Sequence, residues 1–286
     1  MVHYGIAILH YLLKVLIATS LQLFVLLGPL IILAIIMHFI SKANENLSYK
    51  VWGEKAYLYL FGWFGTSIHE LGHAIFCILF GHKITEMNLF SINPKNGSLG
   101  QVTHSFDKKN IFQNIGNFFI GLGPILLGSF MLFAITYLLF GTPDHVNQKV
   151  NIQINTFTSL TVFKIVAVNT WHNIVLYAHW LISTPAITWW KIAIVSYGLY
   201  SIGSSITLSP SDIKSAISGL LYFIVVLLIF NILTIWIGGF ALDFFKKSED
   251  LLSHFYFLII ISMLVNIIFI CFLVVANLLK TTVSGK

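Results

Sequence analysis

The residues with the clearest chemical potential are His69, Glu70 and His73, within the stretch "TSIHELGHAI". On an α-helix, positions i and i+4 share a face, so both imidazoles can direct a nitrogen atom at one metal ion. Glu70 follows the first histidine and can reach a water molecule bound at that ion. The spacing therefore predicts a zinc-dependent hydrolase, with His69 and His73 as zinc ligands and Glu70 as the general base.

The apolar surroundings of this motif strengthen the prediction. Residues 56–81, "AYLYLFGWFGTSIHELGHAIFCILFG", contain Glu70 as their only formally charged side chain. An ionisable group within a membrane span costs about 2.5 to 3.5 kcal/mol on insertion scales, and such groups usually mark a functional site. The alternative is a packed histidine pair beside a glutamate that extends to the membrane surface. Glu70 lies near the middle of the stretch, which disfavours that alternative.

The motif is incomplete, because a catalytic zinc site has three protein ligands and one open position. Cys77 continues the same helical row, but it would lie about 12 Å along the helix axis from His69, too far to share its ion. Three acidic residues remain as candidates: Glu86, Asp107 and Asp212. Asp212 is favoured because it follows a serine that can cap a helix and a proline that can begin one. An acidic residue that only stabilises a helix N-terminus is the alternative interpretation of Asp212.

Composition places these residues in an integral membrane protein. The 286 residues are 57% hydrophobic and only 9% charged, whereas about a quarter are charged in ordinary soluble domains. Several uncharged runs exceed the roughly 20 residues that cross a hydrocarbon core, and each span must satisfy its own backbone, so helices are predicted. All 16 basic residues are lysines, which argues against bidentate phosphate recognition and against a nucleic-acid partner.

The predicted fold class is an all-α polytopic membrane protein with about six transmembrane helices and a short β-hairpin at the membrane edge. The hairpin falls in residues 82–110, where short alternating runs flank the turn-prone "NPKNGS". Residues 142–186 are predicted to be interfacial, because aromatic residues accompany a lysine and two histidines there. The chain, residues 1–286, is expected to form one membrane-embedded domain. The six predicted spans are residues 15–40, 56–81, 111–141, 187–207, 217–239 and 253–279.

The order of three motifs makes the chain resemble the site-2 protease family of intramembrane zinc metalloproteases. These are "HELGHA" in one span, "GLGP" in the next, and an aspartate, Asp212, at the end of a later one. The resemblance covers roughly residues 56–216 and leaves the other predicted spans as peripheral helices. It implies a minimal, bacterial-type membrane domain that hydrolyses peptide bonds in or near transmembrane segments of protein substrates. It also implies a location in the lipid bilayer of the bacterial cytoplasmic membrane, with the active site toward the cytoplasm.

The resemblance carries over the residues of the zinc site one by one. His69 and His73 would be zinc ligands, Glu70 the general base, and Asp212 the third ligand, supplied by another helix. The family usually has glycine directly after this aspartate, whereas Ile213 follows it here.

Other positions correspond to the substrate side of the family's site. Gly123 and Pro124 would match the Gly-Pro pair in the helix beside the metal. Asn117 would donate a hydrogen bond to a substrate carbonyl, with interhelical packing as the alternative for this side chain. Residues 82–110 would correspond to a membrane-edge β-segment that holds an unwound substrate as an added strand.

Two other functions remain open from the sequence. A membrane zinc protease of the prenylated-protein type also uses HELGH, but takes as third ligand a glutamate on a later helix, for which Glu249 is available. A non-catalytic metal-binding or transport protein would line a pathway with the same histidines. The last two predicted spans add only amides such as Asn231 and Asn266 to such a pathway, and amides more often pack helices together. Nothing in the sequence specifies an oligomeric state.

Overall fold

The computed structural model describes residues 2–92, 98–141, 159–183, 188–237 and 240–283, and α-helices dominate this part of the chain. A π-helix, Leu58–Gly62, joins α2 to α3, and a 3₁₀ turn, Ile235–Ile237, follows α7. The strands are β1, Lys83–Asn88, and β2, Gln101–Ser105. The predicted helical fold with a small hairpin is therefore confirmed. The α-helices are α1 Val2–Trp52, α2 Glu54–Tyr57, α3 Trp63–Leu79, α4 Ile111–Phe140, α5 Ser159–Ser183, α6 Trp189–Ser205, α7 Pro210–Thr234 and α8 Phe240–Val283.

Four of the described helices are long and apolar enough to cross a membrane: α1 from Tyr4, α4, α7, and α8 from Leu252 to Thr282. Many of their large apolar side chains are exposed on the protein surface, as expected where lipid replaces water. The chain is an integral membrane protein. The predicted spans at residues 56–81 and 187–207 contain α3 and α6, which are only 17 residues long. The count of six spans therefore stays a prediction.

Some helices extend further than the predicted spans. Helices α1 and α8 run beyond residues 15–40 and 253–279 at both ends, because hydropathy marks the membrane-embedded part of a helix and not its polar extensions. Helix α7 begins at Pro210, ahead of the predicted start at residue 217. As a result, Asp212 lies in the first turn of α7 and not at the end of the preceding span.

The chain divides into two compact units. One unit contains α5, which lies inside the predicted interfacial segment 142–186; residues 142–158 and 184–186 of that segment fall outside the described residues. The other unit contains all of the predicted site residues. Whether the chain acts as a single domain stays a prediction. The first unit is Met1–Ile31, Thr142–Thr184 and Leu221–Phe257, and the second is Ile32–Gly141, Pro185–Leu220 and Leu258–Lys286.

Within the second unit, α3 and α4 cross at a pair of glycines. A Cβ atom built on Gly72 would lie 2.6 Å from the backbone carbonyl carbon of Gly123, and one on Gly123 would lie 2.6 Å from the carbonyl oxygen of Gly72. Both distances are shorter than real Cβ contacts, so the two backbones touch and only glycine fits at either position. The crossing brings the motif of α3 against Pro124 in the middle of α4.

Helix α6 packs against the start of the motif helix through the π-helix that precedes it. The Tyr197 hydroxyl donates a hydrogen bond to the Leu60 carbonyl at 2.9 Å, and the Ser201 hydroxyl donates to the Phe61 carbonyl at 2.6 Å. Hydroxyl groups of α6 thus satisfy carbonyl oxygens of the π-helix. In a membrane protein such carbonyls need a protein donor wherever water is absent. As a result of this packing, the C-terminal end of α6, at Ser205, lies beside His69 of the motif.

The hairpin is fastened to the end of α3. β1 and β2 pair in antiparallel fashion, with Lys83 opposite Ser105. His82, which precedes β1, lies with its Nδ1 atom 2.9 Å from Nδ1 of His104 on β2. The Nε2 atom of His82 lies 2.8 Å from the Gln113 carbonyl on α4. Hydrogen bonds therefore connect β2 to α4 through this one ring.

Candidate metal centre

Three side chains from two helices meet inside the second unit. His69 and His73 lie one turn apart on α3, and their Nε2 atoms are 3.6 Å and 3.1 Å from the carboxylate of Asp212 on α7. One donor atom from each of the three residues lies within 4.8 Å of the other two. Ligand atoms around a tetrahedral zinc ion, each about 2.0 to 2.2 Å from it, are roughly 3.4 Å apart. The donor set and its spacing therefore fit a zinc ion.

Each imidazole is oriented by a backbone carbonyl. The Nδ1 atom of His69 lies 2.9 Å from the Ser205 carbonyl, at the end of α6. The Nδ1 atom of His73 lies 2.8 Å from the Ile120 carbonyl, inside α4. Because a carbonyl oxygen can only accept, both Nδ1 atoms must carry a proton, which leaves the Nε2 atoms, facing Asp212, as the ones that could bind a metal ion. Such a second hydrogen bond is what metal-binding histidines almost always make.

The carboxylate of Asp212 is held by the helix that carries it. The backbone amide of Ser209 donates to Oδ2 at 2.8 Å, and the Asp212 amide donates to the Ser209 hydroxyl at 3.2 Å. This is a reciprocal cap at the start of α7, with aspartate in the place more often taken by glutamate. The other carboxylate oxygen, Oδ1, is the one 3.1 Å from His73. The cap thus fixes Asp212 with Oδ1 facing His73 and the capped Oδ2 facing His69.

Glu70 lies beside the three-residue cluster and under the hairpin. Its side chain is buried, with 8% of its surface exposed. The backbone of Val102, on β2, lies near its carboxylate. A Cβ atom on Gly100 would lie 2.6 Å from Cγ of Glu70 and 2.9 Å from Cγ2 of Thr66. The backbone at the start of β2 therefore rests directly on the glutamate.

The two histidines that anchor the hairpin have lowered basicity. Burial lowers the pKa of His82. Burial, followed by the neighbouring His82, lowers the pKa of His104 to about 4. Both rings are therefore neutral at neutral pH. Because Nε2 of His82 donates to the Gln113 carbonyl, its Nδ1 atom accepts a hydrogen bond from His104.

The remaining predicted residues lie on α4 in different settings. Gly123 and Pro124 are beside the motif, at the crossing with Gly72. Asn117 is buried, and its backbone carbonyl accepts a hydrogen bond from the Ser215 hydroxyl at 3.1 Å. This contact joins α4 to α7, so the backbone at Asn117 serves packing. The predicted contact between its side chain and a substrate stays a prediction.

Among the described residues, His69, His73 and Asp212 form the only group of three or more side chains able to hold one metal ion. The other acidic candidates are engaged or placed elsewhere. Glu86 is exposed on β1, and the Asp107 carboxylate accepts a hydrogen bond from the Lys109 amide at 2.9 Å. Sequence reasoning did not identify the carbonyls that orient the histidines, because any residue type can supply a backbone carbonyl.

Comparison with known proteins gives one family match. A family model described as Peptidase M50B-like matches residues 30–217, a range that includes α3, α4, α6 and the first turn of α7 with all of the residues of the cluster. No protein of curated function and no solved structure matches the chain.

Proposed function

Because the chain belongs to the Peptidase M50B-like family, which comprises membrane metalloproteases of the site-2 type, we propose that it hydrolyses peptide bonds in or near transmembrane segments of membrane proteins and uses zinc. One observation carries this proposal. Two imidazole Nε2 atoms and a carboxylate face one another with the spacing of zinc ligands, and a buried glutamate follows the first ligand on the same helix.

The proposed roles follow from the positions of the side chains. His69, His73 and Asp212 hold the ion, and the carbonyls bonded to the two histidines keep them in the ligand tautomer. When bound, zinc would polarise the scissile carbonyl and lower the pKa of a water molecule to about 7. Glu70 accepts the proton of the attacking water and passes it to the leaving nitrogen, as a general base and then a general acid.

The hairpin is the proposed entrance to the site. β2 runs over Glu70, so an extended substrate segment placed along this strand would lie next to the general base. Its backbone would pair with the free edge of the strand, which requires the substrate helix to unwind first. The resemblance to the site-2 family supports this route. It also supports a cytoplasmic orientation of the site within a bacterial membrane.

The test uses the full-length protein in detergent, and Glu70→Gln as the decisive variant. We expect the wild type to bind one zinc ion per chain by elemental analysis, and Glu70→Gln to bind the same amount, because the ligands are unchanged. Proteolysis should fall by at least about 10²-fold in the variant. The readout is the set of new N-termini in membrane proteins of cells that produce either form. A wild type without zinc, or equal cleavage by both forms, would contradict the proposal.

The two alternatives predict different results. If a glutamate on a later helix were the third ligand, Glu249→Ala would lose zinc and Asp212→Ala would retain it. We expect the opposite, because the Asp212 carboxylate lies within 3.6 Å of both Nε2 atoms. A transport protein would move zinc into vesicles without proteolysis. The described residues contain no second cluster of metal ligands that would extend a pathway.

A further inference from the structure

Pro124 interrupts the hydrogen bonding of α4 at one defined carbonyl. In an α-helix each amide donates to the carbonyl four residues earlier, and proline has no amide hydrogen. Pro124 lies inside α4, which runs from Ile111 to Phe140. The carbonyl left without its helical donor is therefore that of Ile120. The proline ring also pushes this carbonyl outward, because the two would otherwise clash.

The open carbonyl is used by the metal centre. The Nδ1 atom of His73 lies 2.8 Å from the Ile120 oxygen. His73 is largely buried, with 8% of its surface exposed, and Ile120 is 2% exposed. In such a setting an unpaired carbonyl is costly, so the imidazole and the carbonyl each satisfy the other. The neighbouring contact of Gly72 with Gly123 brings α3 close enough for this bond to form.

We propose that Pro124 is a positioning residue for the metal centre, because it leaves the Ile120 carbonyl open to accept the His73 Nδ1 proton. The bond fixes the tautomer of His73 and directs the Nε2 lone pair at the ion. This inference rests on the proposed metal site. This role differs from bending the helix or packing against a neighbour, because it acts on the hydrogen bond of one metal-binding side chain.

The second histidine is also bonded to a carbonyl that has lost its helical donor, although this carbonyl accepts a further hydrogen bond from the Thr207 amide at 2.8 Å. His69 bonds to the Ser205 carbonyl, at the C-terminal end of α6. In a continued helix that carbonyl would accept from the amide of Ser209, four residues later. The Ser209 amide instead donates to Asp212. Both imidazoles are therefore bound by carbonyls whose helical donor has been removed, in one case by a helix end and in the other by Pro124.

The test restores the missing donor. Pro124→Ala and Pro124→Gly both provide an amide at this position, although alanine favours a helix and glycine does not. The restored amide should draw the Ile120 carbonyl back into the helix and weaken its bond to His73. We expect zinc affinity, measured by competition with a chelator in detergent, to fall about 10-fold in both variants. Pro29→Ala is the matched control, since Pro29 also lies inside a helix and its replacement should leave affinity unchanged.

A second measurement separates tautomer control from general damage. The ¹⁵N shifts of histidine side chains in the metal-free protein report which ring nitrogen carries the proton. For the neutral form of the ring, we expect His73 to be protonated at Nδ1 in the wild type and to become a mixture of tautomers in both Pro124 variants. The thermal stability of metal-free Pro124→Ala should equal or exceed that of the wild type.

Several outcomes would overturn the inference. The first is zinc affinity at the wild-type value in both Pro124 variants. The second is a loss of affinity with an unchanged His73 tautomer and a less stable metal-free protein. That second result would indicate that Pro124 only packs the helix. A wild type that binds no zinc would instead refute the proposed function. In that case the tautomer measurement still tests the contact between Ile120 and His73.

Discussion

The crossing of α3 and α4 makes Gly72→Ala the most informative single substitution. The new Cβ atom would lie 2.6 Å from the carbonyl carbon and oxygen of Gly123 and 2.7 Å from the nitrogen of Pro124. Ordinary contacts of Cβ atoms lie between 3.4 and 4 Å. The atoms met are all backbone, so no flexible side chain can move away. The helices must therefore separate by about 1 Å, because a packed interior leaves no spare volume.

A separation of this size would act on the metal centre in two ways. It would lengthen the bond between His73 and the Ile120 carbonyl from 2.8 Å to roughly 3.8 Å, beyond hydrogen-bonding distance. It would also move both histidines of α3 relative to Asp212, because α7 packs on α4, with the Asp212 carbonyl close to Gly121. Loss of an orienting bond costs about 10- to 100-fold in metal affinity, and a 1 Å misplacement costs about 10²-fold in rate.

The assay compares Gly72→Ala with Gly198→Ala in the same detergent. Gly198 lies on α6, and a Cβ atom there would meet only side-chain atoms of α4, at 3.5 and 3.8 Å. Both substitutions raise helix propensity by up to about 1 kcal/mol, so the control reproduces that effect without the clash. We expect zinc affinity to fall at least about 10-fold for Gly72→Ala and to stay at the wild-type value for Gly198→Ala. Equal zinc affinity in the two variants would refute the claim that the close contact of Gly72 with Gly123 positions His73.

Three further outcomes are expected. Ser209→Ala should cost about 1 kcal/mol of helix capping and weaken zinc binding in a chelator competition, whereas Ser218→Ala, which removes an exposed hydroxyl farther along α7, should not. Zinc at a free concentration of 1,000 times its Kd should raise the free energy of unfolding by about 4 kcal/mol, and a chelator should remove this stabilisation. Thermal melts in detergent measure the difference. His104 has a pKa near 6.5 when unfolded and about 4 when folded, so the unfolded strand takes up the proton first as the pH falls from 6.5 to 4, and the hairpin loses stability across this window. The full shift corresponds to roughly 3 kcal/mol, which screening of the partly exposed ring reduces to about half. The hydrogen-exchange protection factors of β2, which correct for the intrinsic pH dependence of exchange, should fall over this range in the wild type and fall less in His104→Leu, where His82 alone of the pair still titrates.

The sequence predicts the groups of the site that are side chains, because their chemistry depends on residue type. It does not predict the groups that are backbone carbonyls. The histidines and Glu70 stand out because imidazole and carboxylate groups are rare in apolar segments, and Asp212 stands out because it follows a capping serine and a proline. The carbonyls of Ile120 and Ser205 have no such signature, since every residue has one. Only Pro124 gave a signal, because a proline within a helix predicts an open carbonyl four residues earlier.

The fold, too, could be predicted only in part from the sequence. Periodicity and hydropathy predicted the helices and the hairpin, and the turn-prone "NPKNGS" marked where the strands separate. They did not predict the π-helix before the motif, whose bonding differs from that of an α-helix by one residue and has no strong sequence pattern. They also could not pair Gly72 with Gly123, since helix contacts of this kind depend on which faces meet after assembly.

The three candidate ligands share a feature that explains why the site lies where helices end or break. Each one is bonded to a backbone group at a helix end or break: the Ile120 carbonyl, the Ser205 carbonyl and the Ser209 amide. Of these, the Ser205 carbonyl also accepts from the Thr207 amide at 2.8 Å. A backbone group that is buried from water and left open costs free energy. The imidazoles and the carboxylate therefore bond to the backbone at helix ends and breaks as well as being candidate ligands. An ionisable cluster that would be costly alone in hydrocarbon is therefore stabilised by hydrogen bonds to the backbone groups that it satisfies.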